Sequence, residues 1–174
     1  VAFGFALAAW LIFGALDDLR AKIGLFEVPL GRAWRRLRGL PASAFAVSTA
    51  HAGLGVMIVG MVASSNLQSE RILAMQPGDT TEIGPYAVEL AEVSEVEGPN
   101  YMAIRAVFAT TRDGSPVGEI ISERRFFPAE AQSTTEAGLH TNLWRDLYFV
   151  LGDQTPEGAW AVRLYINPFV IWIW

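Results

Sequence analysis

Residues 39–69 form an unbroken run of 31 residues without Asp, Glu, Lys or Arg, and one histidine, His51, lies inside it. Its centre reads Phe45-Ala-Val-Ser-Thr-Ala-His-Ala-Gly-Leu-Gly-Val-Met-Ile-Val-Gly-Met-Val-Ala63. About 20 mostly apolar residues cross a bilayer as a helix, so residues 44–64 are predicted as a transmembrane helix carrying His51. A charged side chain at that depth costs roughly 2.5–3.5 kcal/mol or more. An ionisable residue there is a functional candidate, and imidazole is a natural ligand for metals, haem iron included. The competing reading is a histidine hydrogen-bonded to a neighbouring helix.

The charges elsewhere are unevenly placed. Residues 17–43 carry six basic side chains (Arg20, Lys22, Arg32, Arg35, Arg36 and Arg38) against Asp17, Asp18 and Glu27. Residues 70–163 carry fifteen acidic side chains against seven arginines, a net of −8. Short loops rich in Lys and Arg stay in the cytoplasm. Residues 17–43 are therefore predicted as a cytoplasmic basic loop, and the acidic region as extracytoplasmic. The first residues, Val1-Ala-Phe-Gly-Phe-Ala-Leu-Ala-Ala-Trp-Leu-Ile-Phe-Gly-Ala-Leu16, read as a partial transmembrane helix, slightly short of a full span and without a signal peptide's basic start or cleavage site. Residues 167–174, Asn-Pro-Phe-Val-Ile-Trp-Ile-Trp, read as the start of a further transmembrane helix. The expectation is a piece of a polytopic membrane protein.

Within the basic loop, Leu30-Gly-Arg-Ala-Trp-Arg-Arg-Leu-Arg-Gly-Leu40 puts Arg32, Arg35 and Arg36 on one helical face and Trp34 and Leu37 nearer the other. This is the pattern of a short interfacial helix on anionic membrane lipid. An ordinary topology determinant with no specific partner accounts for it more simply, and is preferred on sequence grounds. The chain has no cysteine. It therefore offers no disulfide, zinc–thiolate site or thiol nucleophile, and any thiol chemistry belongs to a partner.

Residues 66–165 are predicted as one periplasmic domain of antiparallel β-structure. Tyr86-Ala-Val-Glu-Leu-Ala-Glu-Val alternates with a break near Ala91 that suits a bulge. Tyr101-Met-Ala-Ile-Arg-Ala-Val-Phe-Ala-Thr, a turn at Arg112-Asp-Gly-Ser-Pro116 and Val117-Gly-Glu-Ile-Ile-Ser-Glu-Arg follow. Leu147-Tyr-Phe-Val-Leu-Gly and Ala159-Trp-Ala-Val-Arg-Leu-Tyr165 form a predicted hairpin. About six short strands suggest a small barrel or sandwich, with an oligonucleotide-binding (OB-like) barrel among the options. The fold class is thus membrane α-helical with an extracytoplasmic all-β domain. Nucleic acid is not an expected partner, because this region is acidic and its arginines are scattered. The acidic residues show no calcium-loop spacing, and no Ser/His/Asp set is present. His140, beside a Thr-Asn turn, reads as structural or solvent-exposed.

Several motifs together resemble one family. Ser48-Thr-Ala-His-Ala-Gly-Leu-Gly is similar to the late transmembrane segment of CcmF, the cytochrome c haem lyase subunit of system I maturation (the CcmF/CycK/NrfE family). The likeness continues in order through Glu70-Arg71, Met75-Gln-Pro-Gly-Asp79, Val96-Glu-Gly-Pro-Asn-Tyr101, Glu123-Arg-Arg-Phe-Phe-Pro128, Thr135-Glu-Ala-Gly138, Arg145-Asp-Leu-Tyr148 and Gly158-Ala-Trp-Ala-Val-Arg-Leu-Tyr165 into residues 167–174. It covers the family's C-terminal portion and is strongest from Ser48 onward.

The resemblance implies that His51 is an axial ligand of haem b, with the second axial ligand and the tryptophan-rich haem motif elsewhere in the protein. It implies partners: the haem chaperone CcmE, a CcmH-type thiol-holding subunit and apocytochrome c. It implies the bacterial inner membrane as location, and a cytochrome c haem lyase complex in which this part alone is inactive. No residue is assigned as catalytic. The alternative is a transporter or membrane-anchored assembly factor. Its β domain would bind a partner, and His51 would only pack.

Overall fold

Asp17 and Asp18 do not end the first helix. In the computed structural model, which describes residues 1–174, α1 runs Ala2–Ile23. The boundary expected after residue 16 therefore moves to residue 23. Two ion pairs carry the helix onward: Arg20 Nε to Asp17 at 2.7 Å and Lys22 Nζ to Asp18 at 2.5 Å. Charges three and four residues apart support a helix. The stop comes at Gly24, whose φ of 66° makes the left-handed cap that closes the last carbonyls.

The expected loop of residues 17–43 is mostly helical. After α1 comes α2 (Leu30–Arg38), then α3 (Ala42–Asn66). At 1.5 Å per residue, α1 and α3 are roughly 33 and 37 Å long, and both are long and apolar enough to cross a membrane. The chain divides into two units, residues 1–66 with 169–174, and residues 67–168.

In the first unit α1 and α3 pack antiparallel, with glycine at the closest approaches. A Cβ on Gly55 would stand 2.6 Å from Ile12 Cγ1 and 2.9 Å from the Ala8 carbonyl oxygen. A Cβ on Gly4 would meet Val62 at 2.6 Å. Nearer the connection, Ser48 Oγ donates to Asp18 at 2.8 Å. Residues 167–174 show no α-helix within their own length. The last strand continues to Pro168, and one 3-10 turn, Val170–Ile173, packs on α3 at Gly60.

The second unit is a sandwich of nine antiparallel strands: β1 (Ser69–Met75), β2 (Thr80–Ile83), β3 (Tyr86–Glu97), β4 (Met102–Arg112), β5 (Ser115–Phe127), β6 (Gln132–Glu136), β7 (Gly138–Thr141), β8 (Arg145–Gln154) and β9 (Trp160–Pro168). One sheet has the order β1-β9-β8-β7 and the other β2-β3-β4-β5-β6. Of the two arrangements that the turn spacing allows, this is the sandwich. The five-stranded sheet ends at β2 and β6 and does not close into an OB-like barrel. The bulge expected near Ala91 lies between Leu90 and Glu92. It shifts the inward phase from Val88 and Leu90 to Val93.

Alternation builds the core. Ala106 and Phe108 of β4, Leu147, Phe149 and Leu151 of β8, and Val162, Leu164 and Ile166 of β9 all point inward. Phe108 and Phe149 meet edge to face across the sheets at 5.5 Å. Ser122 of β5 is buried there, accepting from the Leu151 amide at 3.1 Å and donating to the Glu136 carbonyl at 2.8 Å.

On the opposite face of β5, Glu123 is only 6% exposed yet ionic. Arg105 donates to its Oε1 through Nε and Nη2, both at 2.7 Å, and Arg125 to its Oε2 at 2.9 and 2.8 Å. Burial raises the carboxyl pKa, but the two guanidinium pairs outweigh it and hold the group below its ordinary value of 4.5. Because the folded pKa is depressed, Glu123 stabilises the fold above the unfolded pKa, and the contribution fades as pH falls through the folded value.

Two predictions follow from these contacts. Glu123→Gln should destabilise the sandwich by about 2 kcal/mol near neutral pH, a figure discounted because both arginines are about one-third exposed. Urea melts should show the penalty shrinking as pH drops below about 4.5, and a pH-independent penalty would contradict the ionic reading. In α3, Gly55→Ala should lower the thermal midpoint of the helical signal in detergent, at a cost of roughly 1–2 kcal/mol. Gly53→Ala should not, since nothing lies within 4 Å of its Cβ position.

Candidate functional site

His51 sits nine residues into α3, about 13 Å along the helix from its start. Ser48 and Gly55 on the same helix are buried. At about 100° per residue His51 lies roughly 60° round from Ser48, so its ring lies at the edge of the helix pair and is exposed. Ser48 and Gly55, the small residues one turn either side of the imidazole, serve first as contact surface for α1.

The ring's polarity is fixed locally. Nδ1 lies 2.8 Å from the Val47 carbonyl oxygen, one turn back. A carbonyl only accepts, so Nδ1 carries the hydrogen, and in the neutral ring Nε2 keeps the lone pair. A metal-binding histidine ordinarily donates its second ring N–H to a carbonyl or carboxylate in this way, which sets both tautomer and ring orientation.

Beside the ring lies a recess of about 290 Å³ between α1 and α3. Trp10, Leu11, Gly14 and Ala15 form its apolar part, and Asp18, Lys22 and Ser48 its polar end. Asp18 is engaged there through Oδ2, which accepts from Ser48 at 2.8 Å and Lys22 at 2.5 Å. The sequence reading placed Asp18 and Lys22 in a loop and so missed them. The available signal was their spacing of four directly after an apolar run, which continues a helix as readily as it ends one.

His51 offers one nitrogen donor at the recess. No three His, Cys, Asp or Glu side chains gather to hold a lone metal ion. A flat apolar macrocycle needs one imidazole, small flanking residues and an apolar wall. His51, Gly14, Ala15, Leu11 and Trp10 provide them on one side. His140 lies in β7 opposite Leu147, with Nδ1 buried and without a hydrogen-bond partner. Its side chain is half-buried.

Comparison with known proteins identifies the family of the chain. The family profile described as "CcmF C-terminal beta-sandwich" matches residues 66–168. "Cytochrome c-type biogenesis protein CycK" of Rhizobium meliloti (strain 1021) is 40% identical over 172 residues, 99% of this chain and 25% of that protein. "Cytochrome c-type biogenesis protein CcmF" of Escherichia coli (strain K12) is 37% identical over 171 residues, 98% of this chain and 25% of that protein. The chain thus spans about a quarter of the length of the relatives it matches. A solved structure titled "Cytochrome c Heme Lyase CcmF" superposes with a TM-score of 0.65, covering 93% of this chain and 31% of that one. At 16% identity that likeness speaks for the fold alone. With the profile covering the whole sandwich and these relatives aligned along nearly the full chain, the protein belongs to the CcmF family and corresponds to its C-terminal portion.

Proposed function

We propose that this chain is the part of a multi-spanning cytochrome c haem lyase that supplies one axial ligand, His51, to a haem b in the inner membrane. The observation that carries the reading is the His51 tautomer: Nδ1–H is committed to the Val47 carbonyl, and Nε2 is free beside an apolar recess. Relatives named for cytochrome c biogenesis support the pathway. The second axial ligand comes from a helix outside residues 1–174. Haem bound in this way supplies a one-electron carrier within the membrane. The chain's own work is to hold and orient the imidazole and to wall the site with Leu11 and Trp10, keeping water away.

In this reading α1 and α3 are antiparallel spans, the α2 connection is cytoplasmic and the sandwich is periplasmic. The charge bias between the two regions supports that orientation. The haem chaperone CcmE, a CcmH-type subunit and apocytochrome c are the partners. In this reading the thiols that receive haem are those of the apocytochrome, with which the absence of cysteine in this chain is consistent.

In the full-length protein, His51→Ala should lose most of the bound haem b and of cytochrome c maturation. Added imidazole should restore part of both by filling the vacated ligand position. An alanine variant with a normal haem spectrum and full activity sinks the assignment, and His51 is then a packing residue. For the orientation, Ser115→Cys should react with an impermeant thiol reagent in intact spheroplasts and Gly31→Cys should not. The reverse pattern overturns it.

A further inference from the structure

We propose that α2 is a lipid-docking helix, which lies in the membrane interface and holds anionic phospholipid headgroups with Arg32, Arg35, Arg36 and Arg38. The proposal rests on the reading of α1 and α3 as spans, and it names a ligand for the segment that joins them.

Four of the nine residues of α2 are arginines and none is acidic. None of the four forms an ion pair with a carboxylate of this chain. Their faces are segregated. At 100° per residue the arginines occupy one continuous arc, and Ala33, Leu37, Leu30 and Trp34 occupy the other. The apolar arc is itself divided. Ala33 is buried at 3% exposure and Leu37 half-buried, while Leu30 stays 74% and Trp34 55% exposed. Fold packing therefore uses only half of the apolar face.

The exposed half continues beyond the helix. Phe26, in the turn before α2, is 85% exposed and held at a φ of 74°, a left-handed conformation that costs a bulky side chain. Phe26, Leu30 and Trp34 thus leave three large apolar side chains exposed within nine residues, next in sequence to a row of cations. The Arg38 guanidinium lies 5.0 Å over the Trp34 ring, the amphipathic pairing that suits the headgroup level. A topology determinant needs positive charge anywhere in the connection. It needs neither helical segregation of that charge nor uncovered large apolar side chains. Charge complementarity selects the occupant: phosphate-bearing anionic lipid, with arginines in fork geometry on the phosphates and the exposed apolar side chains at the acyl boundary.

The chain carries no cysteine, which makes site-specific labelling direct. In the full chain, a Leu30→Cys variant bearing an environment-sensitive fluorophore is reconstituted into two vesicle types, phosphatidylcholine alone and phosphatidylcholine mixed with phosphatidylglycerol. In the mixed vesicles the emission should shift to the blue and quenching by aqueous acrylamide, which is neutral and not repelled by the lipid charge, should fall roughly three-fold or more, given about five-fold in affinity per basic residue at an anionic surface. Replacing all four arginines by Gln should abolish the difference, and high salt should shrink it. Equal acrylamide access in both vesicles overturns the proposal and leaves the segment as a plain topology signal or a protein contact. A parallel Leu54→Cys label separates the two levels. Quenching of that label by lipid-borne nitroxide in both vesicle types keeps the spans in place, so a failure at position 30 then counts against α2 alone. Acrylamide access at position 54 equal to that of a free label in water removes the spanning reading, and the proposal with it.

Discussion

A missing side chain at residue 55 decides where α1 and α3 can lie. With the Ala8 carbonyl 2.9 Å from where a Cβ would stand, the two backbones are nearly in contact there. In a lipid environment helices gain nothing from burying leucine against leucine, and close backbone approach becomes the main source of cohesion. The recess beside His51 exists because this contact draws the helices together on one side, while Trp10, Leu11 and His51 stand clear at the edge. Gly60 repeats the device against the 3-10 turn. α3 is therefore a helix whose glycines set distances, and His51 inherits its place from them.

The sandwich solves a different problem. Its core is apolar and regular, and the one buried carboxylate is put on the outer face of β5 rather than in the core. Register makes that possible. Arg105 and Glu123 are directly opposite across β4 and β5, so their pairing needs no long reach. Arg125, two residues on, returns to the other oxygen and also lies 4.7 Å from the Tyr101 ring centre. A single arginine would leave lone pairs of a nearly buried carboxylate unsatisfied, which is costly. Two arginines, each donating twice to its own oxygen, remove that cost.

What the sequence disclosed and what it withheld divide along locality. The apolar run, the period-two strands, the bulge by Ala91 and the two faces of α2 are patterns within about ten residues, and they read directly. The end of α1 did not, because Asp17 and Asp18 look like a boundary until their partners at Arg20 and Lys22 are counted. β6 and β7 were missed. Gln132–Glu136 is polar throughout, as an edge strand can be, and β7 has only four residues. The pairing of β1 with β9, nearly a hundred residues away, leaves no local trace. At the site, the histidine was visible from its charge-free surroundings. Its tautomer was not, since the Val47 carbonyl is available to Nδ1 only in one side-chain orientation.

The helix connection shows how local pairing changes what a charge count means. Residues 17–43 hold three acidic side chains, and two of them are already used within α1 by Arg20 and Lys22. Those four groups cancel at short range and contribute little field beyond about a Debye length. What remains is Glu27 against four arginines, all on one short helix. The positive character of the connection is thus concentrated rather than spread, and it is presented by a short helix that packs against α1. A concentrated array of this kind acts on its surroundings as a surface with geometry. In the orientation proposed above, the arginines that bias the two helices would also set the depth and roll at which their connection rests.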